Sequence, residues 1–247
     1  MSRSRAAMGR AVSTLVALLC VLCIPGLRVG GASAGQSLSD SSSELTDSDN
    51  GPVLAPTSVV YADVPADSWA YREIMACTAG GVVQGYPDGL YHPDLEVDRG
   101  SMSAFIARAM LGGESQVPVA VGEAAFPDVP TGSWASSYVK YLLAYDLVAG
   151  YLDGDYHPEL PVDRGQMAVF IARAAVWPLG EEGLAAYTPP LSPTFSDVPP
   201  GSWCFKHVEY LVAAGVVNGY ADGTYRPDAV VSRDQMAMYV ARGFGID

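Results

Sequence analysis

Residues 126–174 read FPDVPTGSWASSYVKYLLAYDLVAGYLDGDYHPELPVDRGQMAVFIARA, and this stretch decides the fold. Val139, Leu142, Leu143 and Leu147 recur at helical spacing, which predicts an amphipathic helix behind Trp134. Ser133 stands just before the tryptophan, where a hydroxyl N-cap belongs. GYLDGDYHP has no such period, and its Asp153-Gly154 pair marks a tight turn within a loop. A second helix is expected to open at Asp163, which with Gln166 makes a close variant of the capping box. Its apolar stripe is Met167, Phe170, Ile171 and Ala174. The unit reads as helix, long loop, helix.

The unit occurs three times. Aligned on the dipeptide Asp-Val, the copies start at Asp63, Asp128 and Asp197, with spacings of 65 and 69 residues. Trp69, Trp134 and Trp203 each lie sixteen residues before Gly85, Gly150 and Gly219. Asp88-Gly89, Asp153-Gly154 and Asp222-Gly223 keep the same register, as do Tyr91, Tyr156 and Tyr225. So do Arg99, Arg164 and Arg233, then Met102, Met167 and Met236, then Arg108, Arg173 and Arg242. Ser68 and Ser202 match Ser133, Val208, Leu211, Val212 and Val216 repeat the first apolar stripe, and Ser232 with Gln235 makes a capping box. Gly81 and Gly215 suit the position just past the first helix, where the second copy has Asp146. The expected repeats are 59–111, 125–177 and 194–247, with length changes confined to the Gly-, Pro- and Glu-containing segments between them. About 45 ordered residues bury a weak core alone. The copies are therefore expected to stack through their apolar faces into one all-α unit of three helix pairs, with three equivalent grooves between neighbours.

The sequence before the repeats is of another kind. Arg3, Arg5 and Arg10 precede the fourteen-residue, mostly apolar run Ala11 to Ile24, and Ala32-Ser33-Ala34 offers small residues for cleavage. This is the pattern of a secretory signal peptide, 1–34. Its apolar run falls short of the roughly 20 residues a spanning helix needs, so no membrane span is expected in the mature chain. Neither Cys20 nor Cys23 follows the small residue that a lipidation signal requires. Residues 35–58, with SSSELTDSDN at their centre, read as a flexible acidic linker too poor in apolar side chains to order itself. The whole chain of 247 residues has a formal net charge of −13. The first 34 residues hold four cations and no acid, leaving ten cations against 27 acids, a net of −17. Such a chain is a poor partner for nucleic acid or an anionic membrane, since affinity for phosphate comes from Lys and Arg. After the signal only Cys77 and Cys204 remain, too few for a disulfide framework; Cys77 replaces Leu142 and Leu211 of the later copies and reads as a small core residue.

Catalytic and metal chemistry find no support. His92 and His157 are equivalent, but the third copy has Arg226 there, so the repeat does not require a histidine. No His/Cys/Asp cluster has zinc-ligand spacing, and Asp153 with Asp155 lacks the ligand ladder of an EF-hand. The Asp63 set is expected to fix the approach to the first helix, and the Asp88 set its turn. Neither a cofactor nor an enzymatic activity is expected.

The arginines are more telling. Arg108, Arg173 and Arg242 end the second helix, where a cation complements the macrodipole. Arg99, Arg164 and Arg233 sit in its first turn, where a cation opposes the dipole. Two readings stand open for this set. One is a salt bridge to a carboxylate such as Asp63; the other is a forked donor offered, at a helix N-terminus, to an anionic ligand.

FPDVPTGSWA, GYLDGDYHP and VDRGQMAVFIARA resemble the motifs of S-layer homology (SLH) modules: an F-x-D-V start leading to W-A, a G-x-x-D-G-x-Y-x-P loop and a closing T-R-A-E helix. The resemblance covers residues 59–247, and three tandem modules are the usual number in this family. It implies a pseudo-threefold arrangement around three central helices. It also implies secretion to the cell surface and non-covalent attachment to cell-wall or envelope polysaccharide, often a pyruvylated secondary polymer. The resemblance further implies that the T-R-A-E arginine touches the anionic sugar, and that arginine maps onto Arg99, Arg164 and Arg233. Trp69, Trp134, Trp203, Gly89, Gly154 and Gly223 are further candidate ligand-binding positions, and no metal is implied. Here the tetrad reads Asp98-Arg99-Gly100-Ser101, Asp163-Arg164-Gly165-Gln166 and Ser232-Arg233-Asp234-Gln235: the arginine stays and the glutamate never does. The alternative function is that of a structural subunit packing against other surface-layer subunits.

Overall fold

The computed structural model describes residues 60–247; the expected signal peptide and linker lie outside the described residues. Among the described residues there are seven α-helices and no strand. Repeat 1 supplies α1 (Tyr71–Ala79) and α2 (Arg99–Leu111), followed by a 3-10 turn at Glu114–Gln116. Repeat 2 supplies α3 (Ser136–Leu143) and α4 (Arg164–Ala175), then the short α5 (Gly180–Gly183). Repeat 3 supplies α6 (Phe205–Ala213) and α7 (Arg233–Phe244).

The first helices start later than the serines suggested. Their N-caps are Ala70, Ala135 and Cys204, with no side-chain cap bond. Ser68, Ser133 and Ser202 each close a turn on Pro65, Pro130 or Pro199, and their carbonyls, not their hydroxyls, accept the first helical amide. Past these helices Gly81 and Gly215 adopt φ of 67° and 74°, and Asp146 accepts the same left-handed conformation at φ 53°. An aspartate caps the second helix in two copies: Asp98 accepts from the Ser101 amide at 2.6 Å and Asp163 from the Gln166 amide at 2.7 Å, while the Gln166 side chain turns to Tyr151 and leaves the expected capping box half made. The Ser232–Gln235 capping box does not form. Ser232 Oγ donates to Asp234 Oδ1, and Asp234 takes over the cap by accepting from the Gln235 amide.

The repeats interlock in a cycle. The second helices α2, α4 and α7 pack against one another, and each first helix leans on the second helix of the preceding repeat: α3 on α2, α6 on α4, and α1 on α7. Just ahead of the second helices, the Val97 amide donates to Val231, Val231 to Val162, and Val162 to Val97, each at 2.9 Å. This triangle of main-chain bonds marks the pseudo-threefold axis. Ile74, Leu142 and Leu211 from the first helices meet Met102, Met167 and Met236 from the second in one continuous buried core. Cys77 lies in that core as a small apolar residue, and burial pushes its thiol up to about 12.

Candidate functional site

The triplicated first-turn arginines build the junctions between repeats. Arg99 donates from Nε to the Tyr156 carbonyl at 2.9 Å and from Nη2 to Ala149 at 2.8 Å, both in repeat 2. Arg164 reaches Tyr225 at 2.7 Å and Asn218 at 3.3 Å in repeat 3; Arg233 closes the cycle on Tyr91 at 2.9 Å and Gln84 at 2.8 Å in repeat 1. Each guanidinium also lies over the buried ring of that tyrosine, 4.3 to 4.4 Å from its centre. The tyrosine hydroxyls return the bond: Tyr91 and Tyr225 donate to the carbonyls of Arg233 and Arg164 at 3.0 Å, and Tyr156 Oη stands 2.6 Å from Ser103 Oγ. These arginines are 3 to 5% exposed and form no ion pair among the described residues, so of the two open readings the salt bridge to the Asp63 set is not what holds them.

The helix N-termini are taken as well. The amides of Arg99, Arg164 and Arg233 donate to Leu160, Ala229 and Leu95, and those of Gly100, Gly165 and Asp234 to Pro158, Pro227 and Pro93. These orphan donors of the second helices thus clasp the neighbouring repeat and are not open to a ligand. Any ligand contact by the arginines must come through the guanidinium.

The aspartates hold the loops in place. Asp63 accepts from the Tyr91 and His92 amides at 2.9 and 2.6 Å, Asp128 from Tyr156 and His157, and Asp197 from Tyr225 and Arg226. They therefore pin the loop end as well as the approach to the first helix. His92, His157 and Arg226, held this way, all take φ between 54° and 57°. Burial raises the Asp63 carboxyl, but the two amide bonds outweigh it and set its pKa below the ordinary value. Asp88, Asp153 and Asp222 form the expected turns by accepting from the amides two residues on. The arginines closing the second helices do more than face a dipole: Arg108 pairs with Glu114, Arg173 with Glu181 at 2.8 Å, and Arg242 with Glu73 at 3.7 Å.

Trp69, Trp134 and Trp203 are 58 to 60% exposed. A Cβ at Gly100 would stand 2.8 Å from the Trp134 rim, and one at Gly165 2.8 Å from Trp203, which explains glycine where the resembled motif has alanine. These two tryptophans thus flank Arg99 and Arg164. Gly89, Gly154 and Gly223 turn the loops at φ of 80° to 93°, with nothing within 4 Å of an added Cβ, so turn geometry accounts for them. Tyr86, Tyr151 and Tyr220 join the site too, and the Gly-Tyr dipeptide that recurs in all three copies is their signal in the sequence. Their rings lie 4.8, 4.7 and 5.2 Å from the guanidiniums of Arg233, Arg99 and Arg164. Asp153, Asp155 and His157 offer three atoms within 4.8 Å of one another, the one such trio among the described residues. Leu90 and Thr224 stand at the Asp155 position in the other copies, so the trio is no part of the repeated site.

The S-layer homology domain family matches residues 60–103, 125–168 and 194–237, more than half of the chain. The chain belongs to the S-layer homology domain family. Among curated relatives, SLH-containing similarity extends to a cellulosome-anchoring protein of Acetivibrio thermocellus, 29% identical over 162 residues, or 65% of this chain and 34% of that protein. S-layer protein EA1 of Bacillus anthracis is 29% identical over 151 residues, 61% of this chain and 16% of that protein. An endoglucanase of Bacillus sp. strain KSM-635 is 29% identical over 119 residues, 48% of this chain and 12% of that protein. The matched SLH region is thus about a third or less of the length of each of these relatives.

Proposed function

We propose that the three SLH repeats are a non-catalytic anchoring module that holds the protein at the cell surface by binding cell-wall or envelope polysaccharide. The observation that carries this reading is the make-up of the junctions. At each, a buried guanidinium is fixed from behind by carbonyls of the next repeat with a loop tyrosine ring beside it, and at Arg99 and Arg164 an exposed tryptophan stands close by. Flat apolar faces beside fixed hydrogen-bond donors suit a sugar ring, which has apolar faces and a hydroxyl edge. The names of the relatives agree with this: one is a cellulosome-anchoring protein and another an S-layer protein. Export through the 1–34 signal, with the mature chain starting near Gly35, belongs to the same proposal.

The test is cosedimentation with sacculi of the producing cells, either intact or stripped of their secondary polysaccharide. The chain is expected to sediment with intact sacculi and remain soluble with stripped ones. Changing Trp69, Trp134 and Trp203 together to Ala should weaken sedimentation about tenfold or more while leaving the helical signal, since the rings are largely outside the core. Equal sedimentation with both preparations overturns glycan binding. Self-association without any sacculi, unaffected by the tryptophan changes, favours a structural subunit of a surface layer.

A further inference from the structure

The three junctions share one plan but differ in detail, and two of the differences touch the guanidinium or its loop tyrosine directly. Behind each arginine stands an aromatic residue six places into the second helix of the next repeat: Phe170 for Arg99, Tyr239 for Arg164 and Phe105 for Arg233, all 5.5 to 5.7 Å from the guanidinium carbon. Phenylalanine offers no acceptor. In Arg99 and Arg233 the remaining nitrogen, Nη1, donates to no protein atom among the described residues. In Arg164 that nitrogen donates to the buried Tyr239 hydroxyl, so all three of its nitrogens have protein acceptors. The loop side differs too. Tyr86 and Tyr151, 40 and 38% exposed, meet His92 and His157 edge-on. Tyr220 is half-buried and carries the Arg226 guanidinium 3.9 Å over its ring.

We infer that the junctions are unequal: those of Arg99 and Arg233 take the glycan, and that of Arg164 is closed by the protein's own Tyr239 and Arg226. A sugar oxygen at Arg99 or Arg233 meets a donor that lacks a protein partner, so the bond it forms is a net gain. At Arg164 the Tyr239 phenol already holds one of the two Nη1 hydrogens, so a sugar oxygen finds fewer free donors there and gains less. Tyr220 carries Arg226 in addition to Arg164, whereas Tyr86 and Tyr151 meet a histidine beside their one arginine, so stacking on them displaces no second guanidinium. The inference rests on the glycan-binding reading and assigns it to two of the three junctions.

One oxygen atom tests this in both directions. Phe105→Tyr with Phe170→Tyr gives the two open arginines the acceptor that Arg164 already has. Tyr239→Phe with Arg226→His opens the third junction. Binding of each full-length variant to intact sacculi is measured by sedimentation, with thermal unfolding as the check on folding. The Phe→Tyr pair is expected to bind about tenfold or more weakly, the loss of a bond to a charged donor at each junction. The Tyr239 pair is expected to bind several-fold more tightly through a third contact on the same polymer. If the wild-type chain fails to sediment with intact sacculi, the anchoring reading falls and this inference with it. If the wild type sediments and Tyr239→Phe with Arg226→His gives no gain, only the inequality of the junctions is overturned. The same holds if a folded Phe→Tyr pair binds like wild type. Should the Phe→Tyr pair not fold, the Tyr239 pair decides alone.

Discussion

A guanidinium that is 3 to 5% exposed without a carboxylate partner is an expensive thing to bury, and here three of them hold the repeats together. Backbone carbonyls and a tyrosine face replace water around each one. Removing the side chain leaves those carbonyls unpaired inside the junction, at about 1–3 kcal/mol for each group. Arg164→Ala is therefore expected to lower stability by roughly 3 kcal/mol or more, read from denaturant unfolding. Arg173→Ala breaks a partly exposed pair with Glu181 and should cost about 1 kcal/mol or less. Equal losses would show that the first-turn arginines do not clamp the repeats. The aspartates add a pH signature. The Asp63 carboxyl is held below its ordinary value by two amides, and Asp222 is lowered to about 2 by bonds from Thr224 and Arg226. A depressed carboxylate stabilises the fold above its unfolded pKa and loses that contribution as pH falls through the folded value. The thermal midpoint should therefore fall below about pH 4. Asp63→Ala should cost about 1.5–3 kcal/mol near pH 7 and much less near pH 2. A penalty independent of pH would show that the two amide bonds are not its source.

At the scale of elements, the period of the apolar residues located every principal helix, because burial selects one face at 3.6-residue spacing and three copies repeat the signal. Helix starts were less legible. A serine before a tryptophan is an N-cap pattern, but Ser133 sits inside a proline-led turn, where its carbonyl and not its hydroxyl meets the helix. Stacking between copies was legible but the pairing was not, since spacing shows that α3 has an apolar face without showing that α2, from the other repeat, covers it. The same limit applies to the site. The repeat register singled out Arg99, Arg164 and Arg233, while the carbonyls they bind come from a loop some fifty residues or more away in sequence. The swapped pairing has a direct consequence for the second repeat. A fragment 125–177 carries α3 without α2 and α4 without α6, so Leu142 and Met167 both lose the surfaces that bury them. It is expected to show little helix by circular dichroism and no cooperative thermal transition. A sharp transition in that fragment would count against the interlocked core.

The three repeats form a closed cycle, unlike a linear repeat array in which the two end units each have one bare face. Repeat 3 returns to repeat 1: α7 covers α1, Arg233 clasps Tyr91 and Gln84, and Val97 donates to Val231. In an open array, loss of the last helix exposes one interface and leaves the distant end intact. Here the last helix and the first are neighbours. Deleting residues 233–247 removes the surface on which Ile74 and Cys77 are buried, takes away the Cys77 thiol's acceptor at Ala237, and removes the helix that directly follows Val231 of the valine triangle. The expected outcome is loss of order at both ends of the repeat region at once. Amide exchange should show α1 deprotected as strongly as α6, and the cooperative transition of the intact chain should vanish. A truncated chain that keeps α1 protected, with exchange confined to repeat 3, would mean that the cycle is not energetically closed. The same closure bears on anchoring. Because every junction depends on the other two, the Arg99 and Arg233 junctions are held in fixed relation. A polymer long enough to reach both then meets its second contact at a high effective concentration. Opening the cycle by this deletion should therefore reduce sedimentation with intact sacculi far more than loss of the Arg233 junction alone.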